Sequence, residues 1–321
     1  MSGSAGQTVI LMKKSGKIFV AGHKGMTGAA IRRRAQAAGY ANPLPRDSDG
    51  LDLTDQKTVL DFFMAEKPDY VFITSAKVGG ILANSQFPAE FIYTNIQSQT
   101  NVIHAAWKSG VKKLLYLASS CVYPKNCPQP MKEEYLLSGK LEPTSEPYAI
   151  AKIAGIRMCQ SYSHQYGVNF ISAVPADLYG PMDDFNPETG HVLASLLAKM
   201  HQARTENRAE IVVWGTGSPR RECLYVDDLA DTCFFLMDNY DDPEMINLGS
   251  GEDLSIKEMA GLIKDVVGFK GDIIFDKSKP DGMPRKLLDT SRIRKLGWSP
   301  RTGLEAGLRQ TYEWYVSHIE I

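Results

Sequence analysis

A tyrosine and a lysine of this sequence are spaced so that they could carry proton-transfer chemistry. In EPYAIAK, Tyr148 and Lys152 lie four residues apart at the start of a predicted helix, which places both side chains on one face. An ammonium group close to a phenol lowers the pKa of the phenol, so we expect Tyr148 to act as an acid or base near neutral pH. Because such a pair also arises by chance in many helices, the prediction depends on the residues that accompany it.

Candidate partners for this pair stand in two other segments. In YLASSCVYPKN, Cys121 follows Ser119 and Ser120 at the end of an apolar, strand-like run, and His191 begins a predicted helix in ETGHVLAS. A thiol and an imidazole can both carry protons. A free cysteine, however, is more often a small buried apolar residue, a strand-end serine often bonds the backbone, and a histidine at a helix start can cap the helix or face solvent. Position alone leaves both interpretations open.

A glycine-rich turn between a predicted strand and a predicted helix indicates a cofactor site. In VAGHKGMTG, Gly22 permits a tight turn, Gly25 lets the main chain approach a pyrophosphate, and Gly28 allows the helix to pack closely on the strand. The N-terminus of the helix attracts the phosphate charge. We therefore predict that this turn binds a dinucleotide through the residues Gly22, His23, Lys24, Gly25, Met26, Thr27 and Gly28.

The residues after the second predicted strand favour NADP over NAD. An acidic residue about twenty positions after the glycine turn would bind the ribose 2′-hydroxyl of NAD, whereas an arginine suits the 2′-phosphate of NADP. The second strand is short and irregular, and the first charged residue after it is Arg46, with His23 and Lys24 as further candidates. Asp47 is the residue that would instead favour NAD. Asp52 belongs to the same expected site.

Predicted strands and helices alternate along most of the chain. The strands fall at 17–21, 69–76, 112–120 and 169–178, and long helices run from Pro88 to Gly110 and from Pro147 to Gly167. Strict alternation predicts an α/β fold with a parallel sheet and helices on both of its faces. After Pro175 the pattern changes to turns, a helix near 191–203, a strand with a basic loop in AEIVVWGTGSPRREC, a strand at 272–276 and further helices. We expect this part to form a smaller lobe.

Bulk composition excludes several classes of protein. The chain has 321 residues, 43% apolar and 23% charged, with a formal net charge of -1, which suits one large domain or two closely packed ones. Scattered positive charge argues against nucleic-acid or membrane-surface binding. Five cysteines without metal-type spacing indicate reduced thiols and no metal site. With neither a signal peptide nor a long apolar run, we expect a cytoplasmic protein.

Taken together, the glycine turn, the strand-end serine pair and the tyrosine-lysine pair resemble the extended short-chain dehydrogenase/reductase family over essentially the whole chain. The resemblance implies a Rossmann-type doubly wound parallel sheet, with residues 1–175 as the NADP-binding domain, completed by segments around 211–248, and residues 176–321 mainly as the substrate-binding lobe. It also implies that Tyr148 donates a proton to a carbonyl oxygen. Lys152 is its partner, and Ser119, by its offset of four from the tyrosine of SSCVYP, donates a hydrogen bond to the same oxygen.

Narrower motifs are similar to the branch of this family that both epimerises and reduces a GDP-4-keto sugar. They are AKVGGILAN, SSCVYP, EPYAIAKIAG, LYGP, REC-LYVDDLA and SKPDGMPRKLLD. This similarity implies the NADPH-dependent conversion of GDP-4-keto-6-deoxy-D-mannose to GDP-L-fucose, by epimerisation at C3 and C5 and then reduction at C4. It assigns Cys121 and His191 as the acid/base pair for the epimerisations, because removal of a proton next to a ketone needs a base on one face and an acid on the other.

The same similarity implies residues for the two ends of the substrate site. The segment after the fourth strand lies near the nicotinamide and contributes, with His191, the residues Pro175, Ala176, Asp177 and Leu178; the branch usually has a polar Thr-Asn pair at 176 and 177. The GDP end is expected to contact Lys199, Trp214, Arg221, Asp281 and Lys286. Arg220, where an uncharged residue is commoner, is left without a role.

Other functions remain as alternatives at this stage. A sugar-nucleotide 4,6-dehydratase would carry an acidic pair beside the serine where this chain has Cys121, and a 4-epimerase would hold NAD tightly instead of consuming NADPH. A non-catalytic NADP sensor would commonly lack the tyrosine or the lysine, and this chain has both. Family members pair through two long helices, here Pro88–Gly110 and Pro147–Gly167, so we expect a homodimer.

Overall fold

Short strands and longer helices make up the computed structural model, which describes residues 11–40, 50–187, 190–279 and 281–318. The strands are β1 (Ile18–Ala21), β2 (Tyr70–Ile73), β3 (Lys113–Leu117), β4 (Asn169–Pro175), β5 (Asp177–Tyr179), β6 (Glu210–Trp214), β7 (Arg220–Tyr225), β8 (Ile246–Leu248), β9 (Asp253–Ser255), β10 (Asp272–Asp276) and β11 (Arg285–Lys286). The helices are α1 (Met26–Ala37), α2 (Gln56–Glu66), α3 (Ile81–Gln86), α4 (Pro88–Ser109), α5 (Glu146–Tyr166), α6 (Val192–Thr205), α7 (Val226–Asn239), α8 (Ile256–Val267), α9 (Ser291–Lys295) and α10 (Leu304–His318).

The central sheet is parallel throughout and has the strand order β1-β2-β3-β4-β8. Every residue of β1, β2 and β3 is buried, as expected for strands that helices cover on both sides. Among the flanking helices, α1 packs against α7, and α4 packs between α2 and α5. The α/β prediction is therefore confirmed.

The long helices begin and end where the sequence indicates. Proline lies in the first turn of α4 and of α5, where its missing N–H costs no intrahelical hydrogen bond. Gly110 and Gly167 follow the two helices with φ of 78° and 66°, the left-handed conformation in which glycine is favoured. These two helices also make the most extensive helix–helix contact in the described part of the chain.

A second core lies beside the sheet. It joins buried residues of α6, α8 and α10 with those of β6, and β6 pairs in parallel with β10. Of the 211–248 segment expected to complete the larger domain, β8 joins the central sheet and α7 packs beside it, whereas β6 does not. The reason is its pattern: buried and exposed residues alternate along β6, so this strand covers a core on one face only.

The predicted strand at 169–178 divides after Pro175. β4 ends at this residue, and the chain then leaves the central sheet to form β5, which pairs in parallel with β7. The main chain thus passes from the central sheet to the second core directly after Pro175. The residues at this point are the ones predicted to lie near the nicotinamide. Within the described ranges, none of the helices combines the length and the apolar character that crossing a membrane requires.

Candidate active site

The carboxyl ends of β1, β2, β3 and β4 open onto one cavity of about 710 Å³. In open parallel sheets, ligands bind in the crevice outside these ends. The cavity brings together most of the residues predicted from sequence, namely Gly22, Gly25, Met26, Thr27, Gly28, Ser119, Cys121, Tyr148, Lys152, Pro175, Ala176, Asp177, Leu178, His191, Arg221, Asp281 and Lys286. One continuous space thus spans the glycine turn, the proton-carrying residues and the cations.

The glycine turn has the form of a phosphate cradle. α1 begins directly after Gly25, without a side-chain cap and without an acidic residue in its first turn, so its N-terminal backbone N–H groups face the cavity end of the turn. A methyl group at Gly28 would lie 2.2 Å from the carbonyl oxygen of Gly22. A methyl group at Gly25 would have no neighbouring atom closer than 3.6 Å, so the space next to Gly25 is part of the cavity. These residues fit a dinucleotide pyrophosphate.

The end of β3 delivers a hydroxyl and a thiol to the cavity. Ser119 is extended, and its Oγ accepts the backbone N–H of Cys121 at 3.5 Å, which turns the chain into a short 3-10 helix, Ser120–Val122. The Cys121 side chain is buried in this turn. Burial raises the pKa of the Cys121 thiol, while Ser119, Lys286 and Lys152 act in the opposite direction. The resting thiol is therefore neutral, with groups beside it that favour the thiolate.

α5 presents Tyr148 and Lys152 to the same part of the cavity, because it packs against the turn that carries Cys121. The Nζ atom of Lys152 donates a hydrogen bond to the backbone oxygen of Leu117 at 3.0 Å and lies 5.9 Å from the Tyr148 ring centroid. Burial lowers the pKa of Lys152 to about 8. Burial also raises the pKa of Tyr148, with the Cys121 charge adding to the rise and Ser119 opposing it. The expected lowering of the Tyr148 pKa is therefore wrong, because desolvation of the phenol raises this pKa and the opposing effect of Ser119 is smaller.

His191 occupies the N-cap position of α6 and reaches the cavity from the second core. Its backbone is extended, and its Nδ1 lies 3.1 Å from Oδ1 of Asp183. The hydrogen bond with Asp183 raises the pKa of His191, against the effect of burial. The imidazole is thus more easily protonated than an ordinary histidine, which suits a proton donor.

Two cations and a carboxylate form another part of the cavity wall. The carboxylate of Asp177 lies 3.6 Å from Nζ of Lys286 and 3.9 Å from Nε of Arg221. Burial opposes ionisation of Asp177, but Lys286 and Arg221 outweigh it and lower the pKa of this carboxyl. Arg221 is held in place by bonds to the backbone oxygens of Met283 and Arg220, at 2.6 and 2.8 Å. An anionic ligand entering here would meet cations that are already oriented.

Comparison with protein families decides the classification. Residues 18–249 match the NAD dependent epimerase/dehydratase family. The chain belongs to this family. As a family member it has the expected cofactor turn at the start of the matched region, and both the serine-cysteine turn and the tyrosine-lysine pair lie inside it.

Relatives within the epimerase/dehydratase family add detail. The chain is 56% identical over 310 residues to the probable GDP-L-fucose synthase 1 of Oryza sativa subsp. japonica, covering 96% of this chain and 94% of the relative. A crystal structure of a GDP-6-OMe-4-keto-L-xylo-heptose reductase from C. jejuni has a TM-score of 0.92 at 38% identity, covering 97% and 100%. A GDP-L-fucose synthetase from Naegleria fowleri, solved bound to NADP, has a TM-score of 0.88 at 29% identity, covering 96% of each chain.

Some predicted cofactor residues of this family member lie apart from the cavity. His23 and Lys24 border a smaller depression beside β1. Asp52 accepts hydrogen bonds from the backbone N–H and the hydroxyl of Thr54, at 2.8 and 2.7 Å, so its carboxylate closes a local turn. Arg46, and Asp47 beside it, lie outside the described residues.

Three residues that were predicted to bind the substrate do not direct their charged group or ring into the cavity. Lys199 is half-buried on α6, and Trp214 is 59% exposed at the end of β6, with Lys279 over its ring at 5.3 Å. Asp281 lines the cavity, but its carboxylate accepts the backbone N–H and hydroxyl of Thr216 at 2.9 and 2.7 Å. Asp281 thus fixes a loop. Arg220, which was left without a role, does not line the cavity and forms ion pairs with the buried carboxylate of Asp253 and the exposed Glu258, at 3.3 and 3.4 Å.

Several cavity residues were not assigned from sequence. Thr74 donates its hydroxyl to the backbone oxygen of Ala21 at 2.8 Å and so ties the ends of β1 and β2 together. Lys125 and Glu142 form an ion pair of 2.9 Å on the cavity wall. Asp183, the partner of His191, comes from a turn-rich segment. In each case the signal is a polar residue in a loop, and a pattern of periodicity cannot detect it.

Alanine at two of the turn glycines should separate stability from cofactor binding. Gly28→Ala places a methyl group against backbone that cannot move away, so we expect a loss of about 1–3 kcal/mol in the free energy of unfolding. Gly25→Ala meets only an ordinary contact and should melt near the wild-type temperature, yet it should weaken NADPH binding by roughly tenfold or more, because its methyl group fills the cradle. Thermal melting and cofactor titration measure the two effects. Equal affinity for NADPH in Gly25→Ala and wild type would contradict the cradle.

Proposed function

We propose that this protein is an NADPH-dependent GDP-L-fucose synthase. It would convert GDP-4-keto-6-deoxy-D-mannose to GDP-L-fucose by epimerisation at C3 and C5 followed by reduction at C4. The observation that carries the proposal is the presence of two proton-carrying sets in one cavity: Cys121 with His191, and Ser119 with Tyr148. A reductase needs only the second set. The identity to relatives named GDP-L-fucose synthase supports the same substrate.

The first set suits epimerisation next to a ketone. The Cys121 thiolate would take the proton from the sugar carbon, and the electron pair of that C–H bond would move toward the C4 oxygen as an enolate. Ser119 and Tyr148 would donate hydrogen bonds to this oxygen. The His191 imidazolium would then return a proton to the same carbon from the opposite face, which inverts it. The thiol would then release its proton to solvent and the imidazole would take one up, which restores the thiolate and the imidazolium. The sugar would shift in the cavity so that the same pair acts on the second carbon.

The second set suits reduction of the remaining ketone. The glycine turn would hold NADPH, which would supply the hydride for C4. Tyr148 would protonate the oxygen that becomes the C4 hydroxyl, since its pKa is raised and it holds a proton at neutral pH. Lys152, close to the ring and mostly protonated at pH 7, would stabilise the phenolate that remains. Ser119 serves both reactions, because the same oxygen carries the developing charge in each.

The cations of the cavity support a site for the nucleotide diphosphate. Arg221 and Lys286 lie in the cavity with their charges directed to Asp177, and a diphosphate would compete for them.

The proposal also includes a cofactor-binding domain of residues 1–175, a substrate-binding lobe of residues 176–321 and a cytoplasmic location. It further includes a homodimer through α4 and α5, supported by the exposed Tyr93 and Ile150 on these helices. Light scattering would test the dimer, for which we expect a mass of twice the 35.5 kDa of one chain.

A second candidate is a C4 reductase that does not epimerise. The observation in its favour is the high structural similarity to a GDP-6-OMe-4-keto-L-xylo-heptose reductase, whose name mentions reduction alone. The two functions differ in whether protons at C3 and C5 exchange with solvent, because reduction alone leaves these carbons untouched.

The direct test mixes purified protein, GDP-4-keto-6-deoxymannose and NADPH, and follows absorbance at 340 nm. We expect decay of the signal with a GDP-6-deoxyhexose product, and weaker use of NADH than of NADPH in a parallel titration. Decay that yields only a product unchanged at C3 and C5 would favour the reductase, and no decay would contradict both candidates. Higher affinity for NADH would overturn the NADP assignment.

A further inference from the structure

The hydrogen bond between Asp183 and His191 suggests a role for a carboxylate that the proposed mechanism does not use. We propose that Asp183 is a positioning residue for His191: it fixes the imidazole, keeps a proton on Nδ1 and leaves Nε2 to deliver a proton to the sugar. This inference rests on the proposed function for its catalytic meaning. Its structural content, the orientation and tautomer of His191, can be tested without substrate.

The carboxylate of Asp183 is held firmly. Its side chain is only 3% exposed, although that of His191 is 44% exposed. Its Oδ1 accepts one hydrogen bond from Nδ1 of His191 and another from the backbone N–H of Asp184 at 2.8 Å. The backbone N–H of Asp183 donates to the backbone oxygen of Gly180 at 3.2 Å. Oδ2 is buried without a hydrogen-bond partner among the described residues. Such burial is costly unless the carboxylate has a charged partner, so a protonated His191 is favoured.

The segment that carries Asp183 is fastened at its far end. Phe185 stacks on Tyr315 and Trp314 of α10, with ring centroids 4.6 and 5.9 Å apart. Ser195 of α6 donates its hydroxyl to the backbone oxygen of Asn186 at 2.9 Å. α6 is also the helix that His191 caps. The same short segment is therefore tied to α10 and to the helix that begins with the histidine, which fixes donor and acceptor relative to each other.

The surrounding charges decide how the imidazole titrates. Asp183 contributes most to the raised pKa of His191 through its hydrogen bond, burial acts against it, and Asp177 and Asp184 add to the rise. The cations of the cavity, Lys286 and Arg221, are directed toward Asp177 and partly neutralise it. Replacing Asp183 by asparagine keeps the shape and removes the largest favourable charge. His191 should then lose its proton at a lower pH.

This expectation can be measured by NMR on protein labelled at its six histidines, with His191→Gln used to assign the signal. In wild type, the neutral His191 ring should carry its proton on Nδ1, and its pKa should fall in Asp183→Asn and recover at least partly in Asp183→Glu. Asp228→Asn is the matched control, because Asp228 is also a buried carboxylate, bonded to the backbone N–H groups of Arg301 and Thr302. It should leave the His191 titration unchanged.

Kinetics supply the second readout. The pH profile of solvent exchange into the 4-keto sugar should shift on its acid limb to lower pH in Asp183→Asn, with the maximal rate falling tenfold for each pH unit of that shift. Loss of exchange at every pH without any shift would mean a merely structural role and would overturn the inference. So would an unchanged His191 pKa. If Asp183→Asn does not fold, a wild-type ring with its proton on Nε2 overturns the inference without any variant.

The two failures are distinguishable. If the GDP-sugar is not a substrate, exchange is absent from wild type as well, while the NMR titration still reports whether Asp183 holds the imidazole. If Asp183 has no such role, wild type exchanges normally and the titration of His191 is the same in both proteins.

Discussion

Cys121→Ala should abolish the exchange of solvent deuterium into C3 and C5 of GDP-4-keto-6-deoxymannose. The variant removes the group that takes the proton, and loss of a positioned acid/base group costs about 10²–10⁴-fold in rate, or roughly 3–5 kcal/mol of transition-state stabilisation. Reduction of an already epimerised 4-keto sugar should be much less affected, because Ser119, Tyr148 and Lys152 remain. NMR of the sugar in deuterium oxide measures the exchange.

Controls for this variant come from the same chain. Cys127→Ala also removes a buried thiol, six residues further on and outside the cavity wall, and should exchange at the wild-type rate. Cys121→Ser keeps the size of the side chain but replaces the thiol by a far weaker acid, so it should resemble Cys121→Ala. Wild-type exchange in either Cys121 variant would refute the epimerase role of this residue.

The shape of the pH profile of exchange follows from the directions in which the pKa values of Cys121 and His191 are shifted. Burial raises the pKa of the Cys121 thiol, and Asp183 raises that of His191, but the thiol has the higher ordinary value. The reactive form needs a thiolate and an imidazolium together. Below the His191 pKa the rate therefore rises with pH as thiolate appears, between the two values it is level, and above the Cys121 pKa it falls as imidazolium disappears.

Tyr148→Phe should give the opposite separation. Reduction should fall by about 10²–10⁴-fold, because the hydride acceptor oxygen loses its proton donor while the cofactor site is unchanged. Exchange at C3 and C5 should persist, at a lower rate, since Ser119 still donates a hydrogen bond to the enolate oxygen. Following 340 nm absorbance and deuterium content in the same sample measures both. A variant that loses reduction and exchange to the same extent would contradict a division of labour between the two sets.

Local rules were sufficient for the elements and for the residues that a motif places on them. Tyr148 and Lys152 share a helix face because they lie four residues apart, and Gly25 precedes α1 because a glycine turn follows a buried strand. The direction of the Tyr148 pKa could not be obtained in this way. It depends on how deeply the folded chain buries the phenol, and that is a property of packing between α5 and the end of β3.

Contacts between loops were equally hidden from the sequence. Asp183 stands eight residues before His191 in a turn-rich stretch, and only the folded loop brings the two side chains to 3.1 Å. Asp177 stands where the branch usually has asparagine, near the expected nicotinamide site, and the structure pairs its carboxylate with cations from β7 and β11. Trp214 is predicted to contact the nucleotide, and the alternating pattern of β6 places its ring on an exposed face. Each outcome depends on residues distant in sequence.

The most direct test of the account compares Tyr148→Phe with the double variant Tyr148→Phe/Cys121→Ala in deuterium oxide, with GDP-4-keto-6-deoxymannose and no NADPH. Mass spectrometry and NMR of the recovered sugar report deuterium in a background where reduction cannot consume it. We predict one deuteron each at C3 and C5 with the single variant and none with the double variant. Equal deuterium in both samples would contradict the claim that Cys121 makes this reductase site an epimerase.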